Sequence, residues 1–180
     1  MLINGIETEN LEAFAQSVSQ NPQAGQVSFA VETDWKGGCK STTSVHEWHM
    51  AGERKAKTFH IEADEPAELL GENTAPNPQE LLLAAINACM TVGYVATAAM
   101  MGVKIYSLKI KASGALDLRG FLGLDDAIAP GYEQIDYEVI IDGDGTAEQY
   151  QAVHENVLKT SPNRWNAAHP IHLNATLKHN

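Results

Sequence analysis

A chain of 180 residues, 44% apolar and 19% charged, can bury a core without disulfides or a structural metal, and its composition excludes the disordered class. Its net charge of −11, with only 12 Lys and Arg, leaves no basic stripe for phosphates or anionic lipid, so nucleic acid and membrane surfaces are excluded as partners. The expected organisation is one domain over 1–180, with an N-terminal helical extension over 1–25 and a core over 26–180.

The first twenty residues have no basic segment followed by an apolar one, and Glu7, Glu9 and Glu12 are acidic. The expectation is therefore a cytoplasmic protein without a leader. Two cysteines, Cys39 and Cys89, in a reducing compartment do not make a disulfide framework.

In chain order, Leu11, Phe14, Ala15 and Val18 recur at helical spacing and predict an amphipathic helix over 8–19, ended by Asn21-Pro22. Alternation predicts a strand over 26–35, a turn at Lys36-Gly37-Gly38, a returning strand over 40–48 and a third strand over 57–63. A Pro-, Gly- and Asn-rich loop of about fifteen residues follows, a length at which loops tend to be functional or disordered. Asn77-Pro78-Gln79-Glu80 then combines an N-cap, a proline at the first helical position and the acidic end of a capping box. The helix it opens carries no charge from Leu81 to Met101, and Gly102 can supply its left-handed stop.

About twenty apolar residues can span a bilayer. This run is instead rich in Ala, is interrupted by Asn87, Thr91, Gly93 and Thr97, and has no aromatic or basic anchors at its ends. A helix apolar all round is then a buried one, and at roughly 36 Å it exceeds what a small domain wraps. Packing against the same helix of a second copy through its small residues is the expected solution. Further strands are predicted over 104–117 and 133–142, around a Gly/Pro-punctuated excursion over 119–131. An amphipathic helix over 146–160 is expected to turn Tyr150, Val153 and Val157 inward and to stop at Ser161-Pro162, before a last strand over 171–178. Strands segregated around two helices indicate an α+β fold.

Cys89 is the sharpest chemical candidate. It stands mid-helix, beyond the reach of the N-terminal dipole, so a reactive thiolate there needs a cation or hydrogen-bond donor from another segment. The competing reading is a small buried hydrophobe. His46 and His49, His60, and His169 with His172 lack ligand partners at metal-binding spacing. Asp142-Gly143-Asp144-Gly145 lacks the terminal glutamate of a calcium loop. Neither a metal nor another cofactor is expected. Arg119 and Arg164 read as surface or interface cations, and Arg164-Trp165 as a pair that could cover a pocket.

The run Ala75–Met90 (APNPQELLLAAINACM) resembles the central helix motif of the OsmC/Ohr family, the osmotically inducible and organic-hydroperoxide-resistance proteins. The resemblance continues in order through MMGVKIYSLKIKASGALDLRG, PGYEQIDYEVIID and VLKTSPNRW, and the whole is similar to a divergent OsmC-like subgroup. It implies an intertwined homodimer with antiparallel sheets wrapped around two long central helices. It also implies a thiol peroxidase of the oxidative stress response, reducing small organic hydroperoxides with a dithiol reductant. Cys89 takes the reactive position. The family's activating glutamate, ten residues earlier, falls on Gln79, with Glu80 beside it. The activating arginine of the N-terminal hairpin is missing, and Lys40 is the nearest cation. The resolving Cys-Pro pair is Ser161-Pro162 here, which leaves Cys39 as either an alternative resolving thiol or an incidental turn cysteine. A non-catalytic dimer that binds a small apolar ligand beside Cys89 is the alternative function.

Overall fold

The computed structural model describes residues 1–179, which gather into two compact units, Met1–Ala84 and Ala85–Asn180. The first opens not with a helix but with a hairpin, β1 (Leu2–Ile3) and β2 (Ile6–Glu7). Asn4 and Gly5 both take positive φ at its turn, the Asn-Gly pattern that a two-residue hairpin turn demands. Helix α1 (Thr8–Gln20) follows as expected.

The strand expected over 26–35 is broken in two, β3 (Val27–Phe29) and β4 (Glu32–Trp35). Both pair antiparallel with β5 (Ser41–Met50), and the register slips by one residue between them. Between the two paired stretches Ala30 and Val31 face three residues of β5, 45–47, so the extra residue of the bulge lies in β5. On its other side β5 pairs with β6 (Glu53–Ala63), again with an irregularity between Val45 and Glu47.

The loop that leaves β6 is pinned, and one carboxylate does most of the pinning. Asp64 is 1% exposed. Its Oδ1 accepts the Glu65 N–H at 2.8 Å, and its Oδ2 accepts the N–H groups of Glu72 and Thr74 and the Thr74 hydroxyl at 3.1, 3.0 and 2.8 Å. A carboxylate that accepts this many donors is favoured in its charged form, and the Thr74 N–H leads the effects that lower its pKa from 3.8 to about 2, against the opposing effect of burial.

Helix α2 (Pro78–Met100) starts on the predicted capping box: Asn77 Oδ1 accepts the Glu80 N–H at 2.8 Å and Glu80 returns the bond to the Asn77 N–H at 2.9 Å. Gly102, with φ of +74°, stops it. By length and composition α2 could cross a membrane, and 22% of the stretch is buried within the chain. The buried part is a stripe: Ile86, Met90, Tyr94 and Ala98 recur every four residues and pack in the second unit.

There they meet an antiparallel ribbon of β7 (Ile105–Gly114) and β8 (Ile135–Gly143). The inward residues Ile105, Leu108, Ile110, Ile135, Tyr137 and Val139 pack on the stripe. The excursion between the two strands holds only a short helix, α3 (Leu118–Phe121). Helix α4 (Ala147–Thr160) is capped by Thr146 and Gln149 and closes the core with Val153 and Val157. It crosses α2 closely at Gly93, where a Cβ would lie 3.2 Å from Val157.

One expectation fails beyond this point, and one element is unexpected. Ser161-Pro162 ends α4 as expected, and Pro162 then opens a further helix, α5 (Pro162–Ala168). Proline suits the first position of a helix as well as it suits the residue after one. The strand expected over 171–178 is absent: the segment is irregular and exposed throughout. Among the described residues its alternation meets no strand edge to complete its hydrogen bonds.

Two stability outcomes follow. Met90 is 0% exposed, so Met90→Ala is expected to cost about 2–5 kcal/mol in chemical denaturation. Asp64 binds its proton more weakly folded than unfolded, so its stabilising effect is complete above the ordinary carboxylate pKa and is lost as pH falls from about 4 to about 2. Thermal melts of Asp64→Asn against wild type should differ most at neutral pH and converge through that window; a constant difference down to pH 2 would contradict the assignment.

Candidate functional site

Cys89 lies one helical turn beyond Ile86 on α2, half-buried, with its neighbour Met90 in the core. Two donors converge on its sulfur from the corner between α4 and α5. The Ser161 hydroxyl lies 3.5 Å from Sγ, and the Asn163 main-chain N–H donates to it at 3.4 Å. Ser161 is 4% exposed. The corner is held in place from both sides. The Ser161 N–H donates to the Val157 carbonyl at 3.0 Å, and the Asn163 side-chain amide donates to the Ala85 carbonyl of α2 at 2.9 Å. Both donors come from a segment other than the cysteine's own helix.

Arg164, the next residue, turns the other way. Its Nε donates to the Tyr137 hydroxyl on β8 at 3.0 Å, and its Nη1 donates to the Leu158 carbonyl in the last turn of α4 at 2.7 Å. A cavity of about 260 Å³ lies beside it, lined by Ile86, Tyr132, Glu133, Gln134, Ile135, Tyr137, Arg164, Ala167 and Ala168. Deeper in the unit, Tyr94 hydrogen-bonds and stacks with His154. Burial pushes the Tyr94 phenol up to about 12, with Tyr137 acting in the same direction and the charge of Arg164 opposing it.

Glu80, Gln79, Lys40 and Cys39, also singled out from the sequence, lie in the first unit. Glu80 is engaged in the capping box with Asn77, and Gln79 occupies the same first turn of α2, half-buried. Lys40 pairs with Glu72 at 2.8 Å, which raises its pKa. Cys39 is exposed in the β4–β5 turn, and its thiol donates to the Leu70 carbonyl at 3.5 Å. Asp144 accepts the Lys104 N–H at 2.7 Å and so braces a turn. Among the described residues no group of three His, Cys, Asp or Glu side chains could hold a metal ion.

Reading the sequence missed the Asn163 N–H, a main-chain donor with no residue signature, and Tyr137, which reads as one more inward residue of an alternating strand. For Arg164 the adjacent Trp165 was the available signal.

Solved structures share this architecture. The chain is similar to an OsmC-like protein from Mycoplasma pneumoniae, with a TM-score of 0.62 and 14% identity over 78% of this chain and 87% of that one. It is also similar to a protein from Psychrobacter arcticus 273-4 whose name refers to osmotic stress induction and a detoxification response, with a TM-score of 0.60 and 14% identity over 81% and 91%. A third, an OsmC-like protein of unknown function from Vibrio cholerae, gives 0.53 and 15% over 76% and 91%. At such identities the likeness is one of fold. No curated protein matches the sequence. The family model described as OsmC-like protein matches residues 71–175, more than half of the chain, and takes in the central helix, Cys89 and the Ser161–Arg164 corner. The chain belongs to the OsmC-like family.

Proposed function

We propose that the protein is a thiol-dependent peroxidase that reduces small organic hydroperoxides through Cys89, working as a homodimer with an external dithiol. The observation that carries this reading is the convergence of the Ser161 hydroxyl and the Asn163 N–H on the Cys89 sulfur. The two donors hold the sulfur in a defined position, and a cysteine sulfur is the nucleophile such a reaction needs.

The thiolate attacks one peroxide oxygen, the O–O bond breaks, and the departing alkoxide takes a proton to leave as an alcohol. The sulfur is oxidised to a sulfenic acid. Ser161 contacts the sulfur but has no thiol, so resolution falls to a thiol from outside this corner. The sulfur of an external dithiol attacks the sulfenic sulfur, water leaves, and the second thiol of the same molecule displaces Cys89 from the mixed disulfide. Cys39 is the other protein thiol, and one-cysteine chemistry is the expected route. A non-catalytic dimer that binds a small ligand is the competing reading.

The dimer is proposed from the outer face of α2. Ala85, Ala88 and Val92 are exposed there, Val92 to 67%, on a helix without a charged residue from Leu81 to Met101. An apolar face this continuous marks an interaction surface.

Three outcomes are expected. Cys89→Ser should abolish hydroperoxide turnover with a dithiol donor in a peroxide-consumption assay while leaving the fold intact. Equal peroxide reactivity of Cys89 and a free model thiol would leave only the ligand-binding reading. Ser161→Cys places a thiol at the hydroxyl's position, 3.5 Å from the Cys89 sulfur. Peroxide treatment of that variant should yield an intrachain disulfide to Cys89, seen by peptide mass mapping, whereas wild type should hold Cys89 as sulfenic acid. Non-reducing electrophoresis of wild type and Cys39→Ser tests the remaining route, because a crosslinked dimer lost only in Cys39→Ser would assign resolution to Cys39. Light scattering should report a dimer at micromolar concentration and a shift to monomer in Val92→Asp.

A further inference from the structure

Three arginines occur in the chain, Arg54, Arg119 and Arg164. Arg54 is paired with Glu47, and Arg119 with Asp117. Arg164 has no carboxylate partner among the described residues. Its two hydrogen bonds go to neutral acceptors, the Tyr137 hydroxyl and the Leu158 carbonyl. A guanidinium carries five N–H donors, so three remain, and Arg164 lines the 260 Å³ cavity. Of the three arginines it alone has no acidic partner among the described residues, and it stands beside a cavity.

The Tyr137 hydroxyl accepts from Arg164 Nε, so its own proton is free to donate. Arg164 and Tyr137 therefore form a pair of donors that share one edge of the cavity. Opposite chemistry comes from Ile86, Ala167 and Ala168, which supply apolar wall, and from Tyr132, which adds a ring. The lining is mixed, with Glu133 and Gln134 beside the apolar wall, and fixed polar groups next to apolar surface are the general form of a small-molecule site; this volume lies just below the range of about 300–1,000 Å³ for drug-sized ligands.

We propose that this cavity is a binding site for a small organic carboxylate with a compact apolar body, its carboxylate held by Arg164 and Tyr137. One cation and one phenol suit a monoanion. Glu133 also lines the cavity, and its negative charge disfavours a dianion such as a phosphate monoester. Cys89 is not part of the lining, so the bound carboxylate is a ligand in its own right, and the site stands whether or not the thiol reduces peroxides.

Benzoate and its neutral isostere benzamide are the probes, titrated into the full-length protein with isotope-labelled main-chain amides followed by NMR. Benzoate is expected to shift the amides of Ile135, Arg164 and Ala167 saturably. Benzamide should bind at least about tenfold more weakly, the scale of one charge-assisted hydrogen bond. Arg164→Gln should lower benzoate affinity by a similar factor. Tyr137→Phe, which removes a single hydroxyl and leaves the Leu158 contact in place, should weaken benzoate severalfold and keep its advantage over benzamide. Equal affinity for the two probes, shifts that rise without saturation, or full benzoate affinity in a folded Arg164→Gln protein would overturn the proposal. Should Arg164→Gln not fold, the benzoate–benzamide comparison in wild type and Tyr137→Phe decides by the same criteria.

Discussion

A helix with no charge between Leu81 and Met101 cannot present a polar face to water, and the structure is organised around that constraint. One stripe, Ile86, Met90, Tyr94 and Ala98, is covered by the β7–β8 ribbon and α4. The close crossing at Gly93 sets how tightly α4 can approach. Each inward residue of the ribbon is there because the helix offers it apolar surface, and alternation turns Lys109, Lys111, Asp136 and Glu138 outward to the opposite side. The single chain covers one side of the helix, which is why the proposed dimer and the position of Cys89 are parts of one problem.

Cys89 takes its chemical character from its surroundings and not from its own helix. Mid-helix, it receives nothing from the dipole. The corner between α4 and α5 supplies two donors because Pro162 ends one helix and starts the next. A helix start leaves main-chain N–H groups without partners, and the Asn163 N–H finds the sulfur. Ser161 occupies the place that the family resemblance gives to a resolving thiol, and its hydroxyl meets the sulfur there. A hydroxyl can hydrogen-bond to a thiolate but cannot close a disulfide. Under the proposed peroxidase chemistry, resolution would therefore fall to another thiol.

Lys40 and Arg164 are held in different ways. Lys40 is bound to Glu72, close in sequence to the loop that Asp64 gathers through Glu65, Glu72 and Thr74. That loop is long and rich in turn residues, yet a buried carboxylate that accepts several N–H donors gives it a fixed path. Arg164 has no such acidic partner. Its bonds to Tyr137 and Leu158 fasten α5 to the ribbon and to the end of α4, and leave donors facing a cavity.

Much of this was readable from local chemistry. Asn77, Pro78 and Glu80 announced the start of α2 and Gly102 its end, because caps are decided within one turn of chain. The ribbon strands and the inward residues of α4 followed from periodicity. Asn4-Gly5 is a local hairpin signal of the same kind, placed directly before the helix. The break between β3 and β4 was not legible, since it arises from a register slip against β5 that neither segment contains. The exposed tail over 171–178 alternates like a strand, but alternation states only which faces would differ and not whether an edge is available. The sequence alone determined an α+β chain of the OsmC-like kind, built on a capped apolar helix with one cysteine at its middle. Only the tertiary structure decided what touches that cysteine, and why Arg164 is left with donors to spare. The first depends on elements meeting across about seventy positions of chain and on a main-chain N–H that no residue type encodes; the second depends on α5 meeting β8 and the end of α4.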